Sequence, residues 1–274
     1  MRIRSQSRRV QLALATVLAT VATVLAAPTA AAADPPSPPI IHPPGPGSSA
    51  WWEFHNGTEW GYRMEIPGAV VSGSGKDSSG HREFQGGVTD LTPDPRCAWF
   101  TFQESSGYVT VIACNGFVPF SHNDPTPAEY TFTLNLRTTS GSDQTISRMV
   151  VPNTKYYPEL RAEGMGARWD WHADDEVDFE LVRPEAGVFG HAQGYPNREI
   201  EATTFSSNGC ARTTVLDDGQ EQASSDACTM PGFLTDVYAD EDFEVRNCLI
   251  RSIITITGGV GRPGPTKCVR LLVM

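Results

Sequence analysis

Three groups of residues in this chain could do chemistry: six cysteines, a tryptophan pair set among polar residues, and two acidic clusters. The cysteines are Cys97, Cys114, Cys210, Cys228, Cys248 and Cys268. An even number in a chain bound for export reads as a disulfide framework. Zinc is the competing use, but Cys-x-x-Cys and paired-histidine spacings are both missing. The strand-like segments 97–103 and 107–114 flank Ser105-Ser106. A two-residue turn there sets Cys97 directly opposite Cys114 at a non-hydrogen-bonded site. Cα atoms at such a site lie about 4.5 Å apart, within reach of a disulfide. Cys210 and Cys228 bracket the turn signal Asp217-Asp218-Gly219, and Cys248 and Cys268 bracket the Gly/Pro-rich stretch 258–265. The predicted pairing is therefore sequential: 97–114, 210–228 and 248–268.

Trp169 and Trp171 flank Asp170, with Arg168 and His172 outside them. Residues two apart on a strand share a face, so two indoles there would form a flat stacking platform for a sugar or polymer. Asp170 and His172 would supply its polar contacts. The other use of tryptophan is to fill core, and core is the reading for Trp60 and Trp99. One acidic cluster holds Asp174, Asp175, Glu176 and Asp178; the other holds Asp240, Glu241, Asp242 and Glu244. Carboxylates outside a cell can ligate calcium through hard oxygens, for which Asp174, Asp175, Asp240 and Asp242 are the candidates. They can also serve as the acid and base of a glycosidase. Neither cluster has EF-hand spacing, and charged turns are the commoner role of such runs. No other cofactor is implied.

Catalytic signatures are missing. No serine sits in G-x-S-x-G, no H-E-x-x-H occurs, and Gly73-Ser-Gly-Lys76 lacks phosphate-loop spacing, with Asp77 in the Ser/Thr position. His55, His81, His122, His172 and His191 leave a triad assembled from distant segments open, although surface and loop positions are the usual ones for histidine.

The elements that must position these residues begin after an export leader. Arg2, Arg4, Arg8 and Arg9 precede an apolar run from Val10 to Ala26, and small residues lead to Ala31-Ala32-Ala33 before Asp34. That is the charged, apolar, small-residue order of a signal peptide over 1–33; the run is short for a membrane anchor. Ser7-Arg8-Arg9 partly matches a twin-arginine leader, but Gln11 stands where an apolar residue is expected. Residues 34–49 hold seven prolines and read as a polyproline spacer. The leader carries four of the 21 basic residues and none of the 32 acidic ones, which leaves a net charge of −15 on the remainder. Such a charge opposes nucleic acid and anionic membranes as partners.

From Ala50 onward the dominant period is two. Trp60, Tyr62, Met64 and Ile66 alternate with polar residues or glycine, as do Tyr130, Phe132, Leu134 and Leu136, and Val177, Phe179 and Leu181. Clean alternation predicts antiparallel sheets with one wet face. Turn-rich stretches, including Gly73–Gly80, separate the strands. Helical spacing occurs once, at Phe233, Leu234, Val237 and Tyr238, and predicts at most one short helix. The fold class is all-β, an antiparallel β-sandwich, with two β domains over 50–152 and 166–274 or a single domain over 50–274. The function this implies is a secreted, non-catalytic binding protein for an extracellular polysaccharide or protein. The alternative is a secreted, carboxylate-dependent glycoside hydrolase.

Overall fold

The computed structural model describes residues 40–42, 44–56, 58–78, 81–104, 107–125, 129–141, 143–152, 165–172, 176–194, 197–207, 209–239, 243–250 and 267–273. The predicted leader, residues 34–39 of the Pro-rich segment and the connection 153–164 lie outside them. Every regular element among the described residues is a strand, so the fold is all-β and antiparallel sheets dominate it.

Two nine-strand halves repeat one order. In the first, β2 (Ser49–Asn56), β3 (Glu59–Ile66), β4 (Ala69–Ser78) and β5 (His81–Asp90) form a meander. A hairpin of β6 (Arg96–Glu104) and β7 (Gly107–Ala113) then enters a second sheet. The chain returns as β8 (Phe117–Asp124) to pair with β5, and β9 (Tyr130–Thr138) and β10 (Asp143–Val151) complete the second sheet in the order β10-β9-β6-β7. A short β1 (Ile40–His42) pairs in parallel with β10.

The second half does the same. Its meander is β11 (Met165–Trp171), β12 (Val177–Val182), β13 (Ala186–Gln193) and β14 (Arg198–Ser206). The hairpin is β15 (Cys210–Asp217) and β16 (Gln220–Ala227), and the return strand β17 (Gly232–Ala239) pairs with β14. Finally β18 (Phe243–Ile250) and β19 (Lys267–Val273) give the order β19-β18-β15-β16. Adding nine to each strand number of the first half reproduces the second. Residues follow the same repeat: Cys97-Ala98 stands near the start of β6 as Cys210-Ala211 does in β15, and Arg82-Glu83 near the start of β5 as Arg198-Glu199 does in β14.

Antiparallel pairing of β2 with β11 joins the two meanders into one ten-stranded sheet. The described parts of 50–152 and 166–274 thus share a sheet, and their apolar residues form one cluster. The five- and four-stranded sheets cover the inner face of the ten-stranded one. Alternation decides which residues fill that sandwich. Trp60, Tyr62, Met64 and Ile66 are buried, as are Tyr130, Phe132, Leu134 and Leu136, and Val177, Phe179 and Leu181. Tyr62 of the large sheet stacks on Phe100 of the facing sheet at 6.3 Å, and Phe179 meets Phe243 edge-on at 5.8 Å. A buried ion pair closes one end of the first half: Arg82 grips Asp77 through two 2.7 Å hydrogen bonds and donates another to the Pro152 carbonyl. Its guanidinium also lies over the rings of Trp60 and Tyr130.

The three disulfides pair as predicted, at Cα separations of 4.5, 4.1 and 4.0 Å. Glu104 faces Gly107, which fixes the two-residue connection and places Cys97 across from Cys114. Cys248 faces Cys268 directly in the ladder.

Three local expectations need correction. The helical spacing at Phe233–Tyr238 belongs to a strand, β17. Thr235 and Asp236 together oppose Glu201, and Asp236 takes a φ of 57°. This bulge inserts one residue, so Leu234 and Val237 both face the core although three apart. The stretch beginning at Gly73 is likewise strand, within β4. Gly75 sits opposite Trp60 in the register, and the indole lies where a β-carbon would be. Without a side chain there, the ring can lie flat on the sheet. Trp99 is not core: Ala98 and Phe100 point inward, and Trp99 is half-buried on the other face beneath Arg137, 3.9 Å away.

Candidate functional site

Trp169 and Trp171 do share a face, as alternation requires, but it is the inner one. They are 0% and 3% exposed, so the proposed indole platform does not exist. Both indoles fill the sandwich, and the Arg198 guanidinium packs 4.3 Å from the Trp171 ring. The intervening residues point the other way. Arg168, Asp170 and His172 stand on the outer face of the ten-stranded sheet, where Arg168 forms an ion pair with Asp170.

The ladder carries this outer face across the sheet in rows. In one, Glu201 lies beside His191, His191 beside Asp178, and Asp178 beside Asp170. In the next, Phe233, Thr203, Phe189, Glu180, Arg168 and Trp51 follow one another on six adjacent strands. Apart from Trp51, the two rows line a shallow groove of about 650 Å³. A smaller groove continues it past Trp51 and Arg63 over the junction of β11 with β2. Phe189 and Phe233 are 52% and 66% exposed, and Trp51 is half-buried.

Asp170 and Asp178 stand directly opposite, which would be repulsive if uncompensated. Arg168 compensates the first. Asp178 accepts from His191 Nδ1 and His172 Nε2, each at 2.8 Å, one on each carboxylate oxygen. The His191 hydrogen bond, with smaller help from His172, holds the Asp178 carboxyl below the usual carboxylate range despite partial desolvation. This polar cluster can accept hydrogen bonds from hydroxyls or ammonium groups, while the phenyl and indole rings offer flat apolar contact.

Asp174, Asp175, Asp240 and Asp242, the candidate calcium ligands, lie outside the described residues. Among the described residues no three His, Cys, Asp or Glu side chains converge to hold a metal ion, and no helix is long and apolar enough to cross a membrane. Sequence reasoning singled out Asp170, His172 and Asp178 but missed Phe189, Phe233, Glu180 and Glu201. Alternation flags Glu180 as outward-facing on β12. Phe233 was masked by the bulge, and Phe189 by an unbroken run of small and apolar neighbours. Fold and face together define a disulfide-stapled β-sandwich with a polar and aromatic sheet surface. Comparison of the chain with protein-family models, characterised proteins and solved structures gave no match.

Proposed function

We propose that this is an exported, non-catalytic binding protein that holds an extracellular polysaccharide against the outer face of its ten-stranded sheet. The observation that carries the reading is the row from Phe233 through Phe189 to Trp51, where two exposed phenyl rings and a half-buried indole are interspersed with hydroxyl, carboxylate and guanidinium groups. Sugar rings present apolar faces and polar edges, and this surface offers partners for both. Regular sheet holds these groups, so little ordering is needed on binding. The leader adds export, and the acidic charge opposes polyanions as ligands.

The same groove gathers Asp170, Asp178, Glu180 and Glu201, which is what a glycoside hydrolase would need. Its general acid must keep a proton near neutral pH. Asp178 is pushed in the opposite direction, and Asp170 is tied to Arg168. Binding is the reading the geometry favours.

The test is affinity electrophoresis and calorimetry of the mature protein against a panel of soluble polysaccharides. Binding of at least one class without release of reducing ends, weakened by Phe189→Ala or Trp51→Ala, is expected. Turnover abolished by Asp178→Asn or Glu180→Gln would replace this reading with the hydrolase.

A further inference from the structure

The repeat places one feature at both edges of the ten-stranded face. In the first half, Phe117 opens the edge strand β8 just after Cys114. In the second, Phe233 is the second residue of the opposite edge strand β17, shortly after Cys228. Both rings lie on the outer face, 64% and 66% exposed. Phe117 folds across Gly87, where a β-carbon would collide with its ring. Nine strand-to-strand steps separate the two edges, which at about 4.8 Å per step is ~43 Å along the sheet. Trp51 stands on β2, beside the β2–β11 junction that joins the halves. Grooves lie on each side of that junction as well as over it.

Charge narrows the occupant. In the second half Glu180, Glu201 and Asp178 line the groove, with Arg168 committed to Asp170. In the first, Glu59 and Glu83 flank Lys76, whose ammonium lies 3.6 Å from Glu59. Both grooves therefore carry an excess of carboxylate, which is complementary to ammonium and repels uronate or sulfate polymers.

We infer that the whole face is one two-halved site for a single linear polysaccharide bearing free amino groups, which crosses the strands and engages both repeats at once. This rests on the polysaccharide-binding reading above. Carboxylates of each half pair with ammonium groups along the polymer, and Phe117, Trp51 and Phe233 contact sugar faces at the two edges and the middle. A chain long enough to reach both halves gains from effective concentration. One too short fills each half separately.

The experiment is calorimetry and native mass spectrometry of the mature protein with β-1,4-linked glucosamine oligomers of increasing length. Fully N-acetylated and plain glucose oligomers of equal length serve as controls. Short glucosamine oligomers should bind two per protein. Oligomers spanning both halves should bind one per protein and about tenfold or more tighter. Phe117→Ala and Phe233→Ala should each return long oligomers to the short-oligomer affinity, with thermal stability unchanged because both rings are exposed. The inference is overturned if long oligomers gain nothing, if only one of the two variants has an effect, or if the acetylated series binds as well. In each of those cases polysaccharide binding itself survives. No binding of any polysaccharide class would instead remove the reading on which it rests.

Discussion

Replacing Trp169 by alanine tests the packing argument most directly. The side chain is completely buried, and its indole N–H has no hydrogen-bond partner among the described residues. The substitution therefore removes apolar contact and leaves a cavity, with no polar group newly orphaned. Core Trp→Ala changes of this kind cost about 3–5 kcal/mol. In a protein of this size each kcal/mol moves the midpoint by about 2–4 °C, so Tm should fall by about 6–20 °C. Trp51→Ala, on the outer face where Trp51 is half-buried beside Arg168 in the register, is the matched control and should cost within about 1 kcal/mol. Guanidinium unfolding with disulfides intact measures both, and an unchanged m value shows that the comparison is of stability alone. If Trp169→Ala costs less than about 1 kcal/mol, or no more than Trp51→Ala, the inner-face assignment of β11 is wrong.

Non-reducing peptide mapping should recover only the linkages 97–114, 210–228 and 248–268, and the double change Cys97→Ser with Cys114→Ser should lower stability by about 2–4 kcal/mol; any crossed peptide refutes the hairpin geometry. Asp77→Asn should cost about 3–5 kcal/mol by leaving the Arg82 guanidinium buried without its carboxylate, while the pair Asp77→Leu with Arg82→Met should recover part of that loss, short of the hydrogen bonds it removes from the Trp60 indole N–H and the Pro152 carbonyl. Equal stability of Asp77→Asn and wild type would show that the pair contributes nothing. Asp178 and Asp226, held down by His191 and Arg212 respectively, stay ionised in the folded state after their unfolded counterparts protonate near pH ~3.9. Their stabilisation is complete above that value and lost as pH falls below it. Urea midpoints between about pH 2 and 6 should fall on the acid side, less steeply in Asp178→Asn; identical acid limbs would rule out the carboxylate linkage.

Features that depend on local spacing were legible in the residues alone. Alternation in Trp60–Ile66, Tyr130–Leu136 and Val177–Leu181 set strand and inward face together, because successive side chains of a strand point to opposite sides. The spacing around the predicted turns between Glu104 and Gly107 and between Asp217 and Gln220 set the β6–β7 and β15–β16 hairpins and, through them, the first two cysteine pairs. What lay beyond it was everything decided by non-local pairing. Alternation put Trp169 and Trp171 on one face, but which face is core follows from the sheet that covers them, and that sheet is built from residues far along the chain. The bulge at Thr235-Asp236 shifted Leu234 and Val237 into helix-like spacing, since an inserted residue breaks the period of two without breaking the strand. The repeat was hidden because its two copies share topology and a few residues, such as Arg82 and Arg198, rather than a continuous pattern. The candidate face exists only in the tertiary structure. Glu201, His191, Asp178 and Asp170 come from four strands, and Phe117 and Phe233 become the two ends of one surface only because β2 pairs with β11 and makes two meanders a single sheet.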